Sequence, residues 1–416
     1  MKALAYDVLI VGAGPAGLAA AQSAASSGAS VAIVDDNPHA GGQIWRGGAK
    51  ASRDLRARDL VRHLAAADNV SLHLQTRVVH AEAGKLLAET AGAAMLLRCD
   101  KLILATGARE RLLPFPGWTL PGVMGAGGLQ ALSKGDFPVA GKRIVVAGSG
   151  PLLLAVAASL TERGANVSHI LEQATPGRLS RFALALLATP DKLLQAARLW
   201  RKLKGVRYSS NSYVRAAQGD MQLTQVSASI DGEEQSIHCD YLACGYGLLP
   251  NAELASAIGC RIEGGVVRVD EWQHTGIGHV YCAGEGTGIG GVDLALAEGY
   301  IAGHAAVGQH RQAGQFLRQR KQWQAFARHL EKGFELRAEL LGLCQPDTLV
   351  CRCEDVSHAQ LLGYADWRSA KLHTRCGMGA CQGRICGAAT ESLFGWKRDE
   401  ARLPLSPTRV ESLLSE

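Results

Sequence analysis

The stretch Asp7-Val8-Leu9-Ile10-Val11-Gly12-Ala13-Gly14-Pro15-Ala16-Gly17 decides how the first part of the chain is read. Asp7 to Val11 reads as a short strand of the kind that is buried on both faces of a parallel sheet. The alanine-rich run from Pro15 to Ser27 suits a helix, and Val31 to Asp35 suits a second strand, so the opening is a βαβ unit. Each glycine between strand and helix has its own task. Gly12 permits a tight turn, Gly14 lets the backbone approach a pyrophosphate, and Gly17 lets helix and strand pack closely. Pro15 and Ala16 open the helix, whose free N–H groups and dipole favour a phosphate. Asp35, with Asp36 beside it, ends the second strand where a ribose hydroxyl would be held, and Gly41-Gly42-Gln43 forms the loop that follows.

Further along, strand-like runs recur at 101–105, 143–147 and 166–171, with a helix between the last two. A second glycine fingerprint, Gly148-Ser149-Gly150-Pro151-Leu152-Leu153, is followed by the acid Glu172. Its third glycine position is Leu153, which is expected to push the helix from the strand or reshape the loop. Gly148, Gly150 and Glu172 are therefore candidates for a second nucleotide, NAD(P) or ATP, or for a retained fold that binds none. Residues 206–239 read as short strands with turns at Gly219 and Gly232. After residue 274 the pattern returns to strand, glycine loop and helix, which makes the first domain discontinuous. The expected organisation is residues 1–116 with 274–308, then 117–273, a helical linker over 309–343, and a cysteine-rich domain over 344–400.

That last domain holds Cys351-Arg352-Cys353-Glu354 and the run R-C-G-M-G-A-C-Q-G-R-I-C-G, which carries Cys376, Cys381 and Cys386. Thiolates this close suit a metal better than a hydrophobic core. A [2Fe-2S] cluster needs four, and Cys351 with Cys353 on one iron and Cys381 with Cys386 on the other would supply them. Structural zinc accepts the same donors. Cys376 is a fifth thiol that can replace one of the latter two. Cys99, Cys239, Cys244, Cys260, Cys282 and Cys344 read as small buried hydrophobes.

Bulk properties narrow the function classes. At 416 residues, with 47% hydrophobic and 20% charged residues, the chain is globular and long enough for several domains. Its net charge of +6 lacks the dense basic patch of a nucleic-acid reader, and the basic run from Arg311 to Arg337 reads as the solvated face of a helix. Eleven cysteines, an odd count in a long chain, speak against disulfide staples and for a reducing, cytoplasmic setting. The apolar start is broken by Asp7 and is not read as a signal peptide, and with no apolar run of about 18 residues no membrane span is expected. Any membrane association would come through partners.

Two further motifs, L-I-L-A-T-G-A-R-E-R (Leu102 to Arg111) and V-Y-C-A-G-E-G (Val280 to Gly286), resemble those of the glutathione-reductase-like flavoproteins with two dinucleotide domains. C-G-Y-G-L-L-P-N (Cys244 to Asn251) is similar to their interdomain connection. The resemblance implies an α/β fold with two Rossmann-like dinucleotide-binding domains and FAD at the first site. It places Ala105, Thr106 and Gly107 near the pyrophosphate, and Gly284 and Glu285 at the ribityl chain. Glu285 stands where that family usually has aspartate. The close cysteine pair of disulfide reductases does not occur before residue 340, so disulfide reduction is not expected. The C-terminal motif resembles the bacterioferritin-associated-ferredoxin-like [2Fe-2S] domain, which implies Cys351, Cys353, Cys381 and Cys386 as ligands. The whole order resembles the α subunits of heteromeric amine dehydrogenases, among them opine oxidases, D-hydroxyproline or proline dehydrogenases and hydrogen cyanide synthase. That likeness implies a hetero-oligomer with a flavin-containing β subunit resembling a D-amino-acid oxidase, and a quinone or other electron acceptor. The rival expectations are an NAD(P)H-dependent reductase that feeds its own cluster, and a non-catalytic assembly subunit. No residue is assigned to acid-base chemistry on a substrate: His274 and His304 read as loop or surface histidines, and Glu298 and Tyr300 as part of a flavin-facing helix turn.

Overall fold

The computed structural model describes residues 2–47, 54–82, 84–397 and 401–414. Its contacts fall into two units, Met1–Arg109 with Leu249–Ala327 and Glu400–Glu416, and Glu110–Leu248 with Arg328–Asp399. Both follow the α/β plan with a Rossmann-like parallel sheet.

In the first unit the strand Lys2–Val11 lies between Val31–Val34 and Ala94–Leu104, with Val70–His73 outside Val31–Val34, all parallel. On its other edge Ala94–Leu104 has two partners along its length. Its first half pairs antiparallel with Lys85–Glu89, and residues 102–104 pair parallel with Val280–Cys282. The chain thus returns at residue 280 to complete the sheet it began. Helix Pro15–Ala25 packs on helix Gly291–Ala306 at very close range, because a Cβ at Gly299 or Gly303 would overlap the carbonyl oxygens of Ala16 or Ala20. These glycines sit one turn apart, so one face of the helix is bare enough for backbone-to-backbone approach. The C-terminal stretch, which carries no sequence signal of its own, also belongs here: the Leu405 N–H donates to the Val79 carbonyl at 2.8 Å and its side chain is buried.

In the second unit five parallel strands run in the order Arg207–Ser209, Asn166–Glu172, Arg143–Gly148, Tyr241–Gly245 and Val123–Gly125. The excursion at 206–239 is an antiparallel sheet of Ser212–Gln218, Gln225–Ile230 and Glu233–His238. The cysteine-rich part has its own small core, with Val350, Val356, Leu361, Trp367, Ala370 and Trp396 beneath the thiols. Trp118 Nε1 donates to the Leu349 carbonyl at 2.6 Å, and the Arg352 guanidinium lies 4.9 Å over the same indole ring, which ties this core to the sheet region of its unit.

Candidate functional site

The first glycine loop lies at the carboxyl end of Lys2–Val11, the central strand, where the sheet order reverses and open α/β sheets bind ligands. Gly12 has φ 109° and a Cβ there would overlap the Ala105 carbonyl, while a Cβ at Gly17 would overlap the Gly12 carbonyl. Both glycines are therefore demanded by the protein itself. Gly14 is not. Its φ of −76° suits any residue, and no neighbouring atom comes closer than 4.0 Å to a Cβ built on it. Pro15 begins the helix here and no side chain caps its N-cap position, so its first N–H groups and positive dipole end suit a pyrophosphate. Asp35 Oδ2 accepts the Ala13 N–H at 2.7 Å and Oδ1 accepts the Asn37 N–H at 2.8 Å, so this carboxylate shapes the loop as well as facing the ribose position. Gly41 N–H donates to the Ala13 carbonyl at 2.7 Å, folding the 41–42 turn over the glycine loop, whereas Asp36 and Gln43 are exposed.

Across the sheet, Ala105 N–H donates to Val11, which sets residues 105–107 beside the loop. Thr106 Oγ1 donates to the Asn251 carbonyl at 2.7 Å, and the Asn251 amide returns a bond to the Thr106 carbonyl at 3.0 Å. Arg109 donates to Asn251 Oδ1 at 2.8 Å and is paired with Glu253. Thr106 and Gly107 are thus locked to the Pro250-Asn251 motif. Glu285 lies in the 3-10 turn Gly284–Thr287, half-buried, with burial raising its carboxyl pKa against the opposing Gly291 N–H. That turn is held from beneath by Glu298, which the sequence reading places on a flavin-facing helix turn without a partner. Glu298, 1% exposed, accepts the Gly284 N–H at 3.0 Å and the Thr287 hydroxyl at 2.7 Å and meets Arg320 at 3.3 Å. Burial raises its pKa, opposed by Arg320. An acid between Ala297 and Gly299 in the middle of a helix with few charges was the available signal. His274 bonds the Gly278 carbonyl, His304 pairs with Gln309, and Tyr300 donates to Gln22, so each has a local partner.

The second glycine loop is covered by the chain itself. Ser149 Oγ donates to the Phe334 carbonyl at 2.9 Å, and Gln173 donates to the Glu335 carbonyl at 3.1 Å and accepts the Arg337 N–H at 3.1 Å. The Phe334 ring packs edge-on against Phe182 and lies 3.9 Å from a Cβ built on Gly150. Leu153 does not displace its helix. It is buried in the core of the unit, and the helix begins at Leu152, one residue later in the fingerprint than at the first site. Glu172 is 1% exposed and its carboxylate accepts the N–H groups of Gly150 at 2.7 Å and Ala174 at 2.9 Å, closing on its own loop.

Burial pushes Glu172 up to about 7 from its ordinary 4.5, partly offset by those N–H donors. A raised acid adds stability that is fully present below its unfolded value and is lost as pH rises through the folded one. The chain is therefore expected to lose about 3 kcal/mol of stability between roughly pH 4.5 and 8 through this group. Chemical unfolding across that range should show the slope in the parent and a flatter profile in Glu172→Gln; equal slopes would remove Glu172 as the cause.

The thiols converge from both ends of the C-terminal motif. The Sγ atoms of Cys351, Cys376 and Cys386 all lie within 4.8 Å of one another and all three residues are buried. Cys351 receives hydrogen bonds from the thiols of Cys376 and Cys386 and from the N–H groups of Gly377 and Glu354, which hold it far below the usual thiol range. Cys353, exposed, meets the thiol and the backbone N–H of half-buried Cys381. Sulfur contacts therefore run between the two sequence segments, Cys351 with Cys376 and Cys386, and Cys353 with Cys381, a different pairing from that expected by adjacency. A Cβ at Gly379 would overlap Cys353 Cβ, and one at Gly377, where φ is 82°, would lie 2.6 Å from the Trp367 ring. Both glycines bring the loop onto the sulfurs. An all-thiol donor set with backbone N–H groups aimed at sulfur fits an iron-sulfur or zinc centre. Elsewhere, Cys239, Cys244, Cys260 and Cys282 are buried as expected, but Cys99 and Cys344 are only half-buried, Cys99 on the strand Ala94–Leu104 and Cys344 bonding the Pro114 carbonyl. Burial raises the pKa of all six, Cys99 and Cys239 to about 12 and Cys344 to about 11.

The family model described as pyridine nucleotide-disulphide oxidoreductase matches residues 6–306. The HcnB subunit of hydrogen cyanide synthase from Pseudomonas aeruginosa is 33% identical over 96% of this chain and 96% of its own length. An opine oxidase subunit from Agrobacterium tumefaciens is 31% identical over 98% of this chain and 91% of its own. Among solved structures, L-proline dehydrogenase from P. horikoshii matches with a TM-score of 0.70 over 99% of this chain and 80% of that one, at 20% identity. Thioredoxin reductase from T. acidophilum matches with 0.54 over 74% and 98%, at 24% identity. At those identities the structural likeness is one of fold. Among the described residues, no helix is long and apolar enough to cross a membrane.

Proposed function

This chain belongs to the pyridine nucleotide-disulphide oxidoreductase family and is an FAD-binding oxidoreductase, and from that premise we propose that it is the electron-transfer subunit of a heteromeric amine dehydrogenase. On this reading it carries FAD at the first glycine loop and a [2Fe-2S] cluster on the C-terminal thiols. A partner flavin subunit, resembling a D-amino-acid oxidase, oxidises an amino acid or secondary amine of the opine, D-hydroxyproline or proline class at its C-N bond. A quinone or similar acceptor drains the electrons. Bound flavin takes two electrons from a donor and releases them singly, which matches a cluster that carries one at a time.

The observation that carries this reading is the coexistence, in one chain, of a glycine loop that opens on an uncapped helix N-terminus and a group of three buried thiols within 4.8 Å of one another. Two others support it. The six remaining cysteines are raised towards the inert thiol form, which leaves the chemistry of a disulfide reductase without its reactive pair. The segment 333–337 occupies the surface of the second glycine loop where a nicotinamide dinucleotide would lay its phosphates, which argues against NAD(P)H as the donor.

The test is anaerobic mixing of the purified chain, alone and co-purified with its partner, against NADH, NADPH and candidate amines. The expected result is stoichiometric FAD and iron, no rapid flavin bleaching by either nicotinamide, and amine-driven reduction only in the complex. Fast bleaching by NADH would favour the reductase, turnover of amine by the isolated chain would end the division of labour, and redox-silent cofactors would favour a purely assembling role.

A further inference from the structure

We propose that the helical hairpin formed by Pro176–Leu186 and Pro190–Lys202 is a docking surface for an anionic phospholipid bilayer, on which it lies as a peripheral anchor. The inference goes beyond the redox reading and does not rest on it. The hairpin lies in the crossover from strand Asn166–Glu172 to strand Arg207–Ser209. A crossover helix ordinarily covers its sheet with an apolar face. In the first unit the helix Leu55–Ala65 does this between Val31–Val34 and Val70–His73, burying Ala57, Leu60 and Leu64. Pro190–Lys202 is two residues longer and buries none of its side chains fully. The hairpin is fastened along one side only: Phe182 packs edge-on against Phe334, Leu199 touches the core of the unit, and Lys202 pairs with Glu162 at 2.7 Å. Leu184, Leu187, Leu193, Leu194 and Trp200 are left 42–68% exposed.

Charge identifies what covers them. Residues 176–204 hold seven Lys and Arg against one acid, Asp191, an excess equal to the net +6 of the whole chain, so the rest of the sequence is balanced. Arg181, Arg198, Arg201 and Lys204 are exposed and pair with no acid among the described residues. The core of a protein interface is depleted in Lys, whereas Leu and Trp set among Lys and Arg of one sign match the boundary between acyl chains and anionic headgroups. Leu193, Ala197 and Trp200 recur at steps of four and three and share a face, and the stems of Arg198 and Arg201 beside them are long enough to reach phosphates while the apolar groups sink below. The Trp200 ring stands edge-on to Tyr208 at 4.9 Å, and its N–H has no partner among the described residues, which suits an indole at headgroup level. The sequence reading leaves membrane association to partners; the hairpin gives this chain a surface of its own. A lipophilic quinone partitions into the same bilayer.

The experiment is flotation of the full-length protein, alone and co-purified with its partner, with vesicles of phosphatidylcholine, pure or with about 30% phosphatidylglycerol. The variants are Arg198→Gln with Arg201→Gln, Leu187→Ser with Leu194→Ser, and Trp200→Phe, and thermal unfolding and FAD content are the folding controls. The chain and the complex should bind anionic vesicles at least about tenfold more tightly than neutral ones, and lose about tenfold between about 0.1 M and 0.5 M salt. The arginine pair should weaken binding about thirtyfold and the leucine pair about tenfold or more. Brominated acyl chains should quench the parent's tryptophan emission, and Trp200→Phe should lose most of that quenching. The proposal is overturned if the parent shows no preference for anionic vesicles, or if the arginine and leucine variants bind as the parent does. It is overturned too if the complex fails to bind where the chain alone succeeds, because the hairpin is then the seat of the partner subunit. A dimer that dissolves in the leucine variant, without vesicle binding, would assign the surface to a second copy instead. None of these outcomes bears on the flavin or the thiols, so failure here leaves the redox reading as it stands.

Discussion

Gly14→Ala should take away the flavin and leave the protein standing, whereas Gly17→Ala should damage the protein itself. The two residues belong to one fingerprint but face different neighbours. At Gly14 the backbone is in an ordinary extended conformation and a methyl group meets no protein atom closer than 4.0 Å. The methyl would instead occupy the space through which a pyrophosphate passes the helix N-terminus. Apo-protein melting should be unchanged, while FAD affinity falls by roughly two orders of magnitude, about 3 kcal/mol. At Gly17 the methyl would overlap the Gly12 carbonyl, and the helix must move off the strand, at about 1–3 kcal/mol or more. Titration of the apo-protein with FAD, followed by flavin fluorescence, and thermal unfolding without it separate the two. Normal FAD affinity in Gly14→Ala would mean that the cofactor does not cross this loop.

The second large effect is expected at Gly379→Ala, which should empty the cluster site and spare the flavin. The added methyl would overlap Cys353 Cβ and drive that thiol away from Cys381. Iron is expected to drop below about a tenth of the parent level, since metal affinity falls steeply when a ligand is displaced. FAD content should stay at the parent value, and on the proposed function the amine, with the partner present, should still reduce flavin while transfer to the acceptor stops. Gly395→Ala is the control: Gly395 sits at φ 70° at the end of helix Cys386–Phe394 with nothing within 4 Å of an added methyl, so the change costs about 1 kcal/mol of backbone strain without touching a sulfur. Full iron in Gly379→Ala would show that Cys353 is dispensable.

The first site was legible because its chemistry is local. Gly12, Gly14, Gly17 and Asp35 fall within one βαβ unit, and a spacing on the chain becomes a spacing in space almost without intervention. Glu298 was not legible as a support of Glu285, because its role depends on a helix returning under a turn that precedes it by more than two helical turns, and on Arg320 from a further helix. The thiols fell between these cases. Their number and their glycines were plain, but adjacency suggested Cys351 with Cys353, while the turn after Leu349–Cys351 sends the two sulfurs to different neighbours. Leu153 shows what a departure from a pattern does locally. Of the two expectations for its bulk, a displaced helix or a reshaped loop, the second describes the structure: the helix starts one residue later in the fingerprint and the side chain lies in the core.

The segment that covers the second glycine loop makes that part of the molecule a socket. A cradle shaped for phosphates supplies a hydroxyl and a side-chain amide at fixed spacing, and a peptide backbone satisfies them as well as a ligand would. Because the grip ends at Arg337, ahead of the first cysteine of the C-terminal motif, the metal-bearing module is a plug-in part fastened upstream of itself. A different electron carrier spliced in beyond that point would inherit the same mooring, provided that its surface rebuilt the Trp118 contacts with Leu349 and Arg352. The fold would then serve as a chassis whose outlet can be exchanged while the flavin end stays as it is.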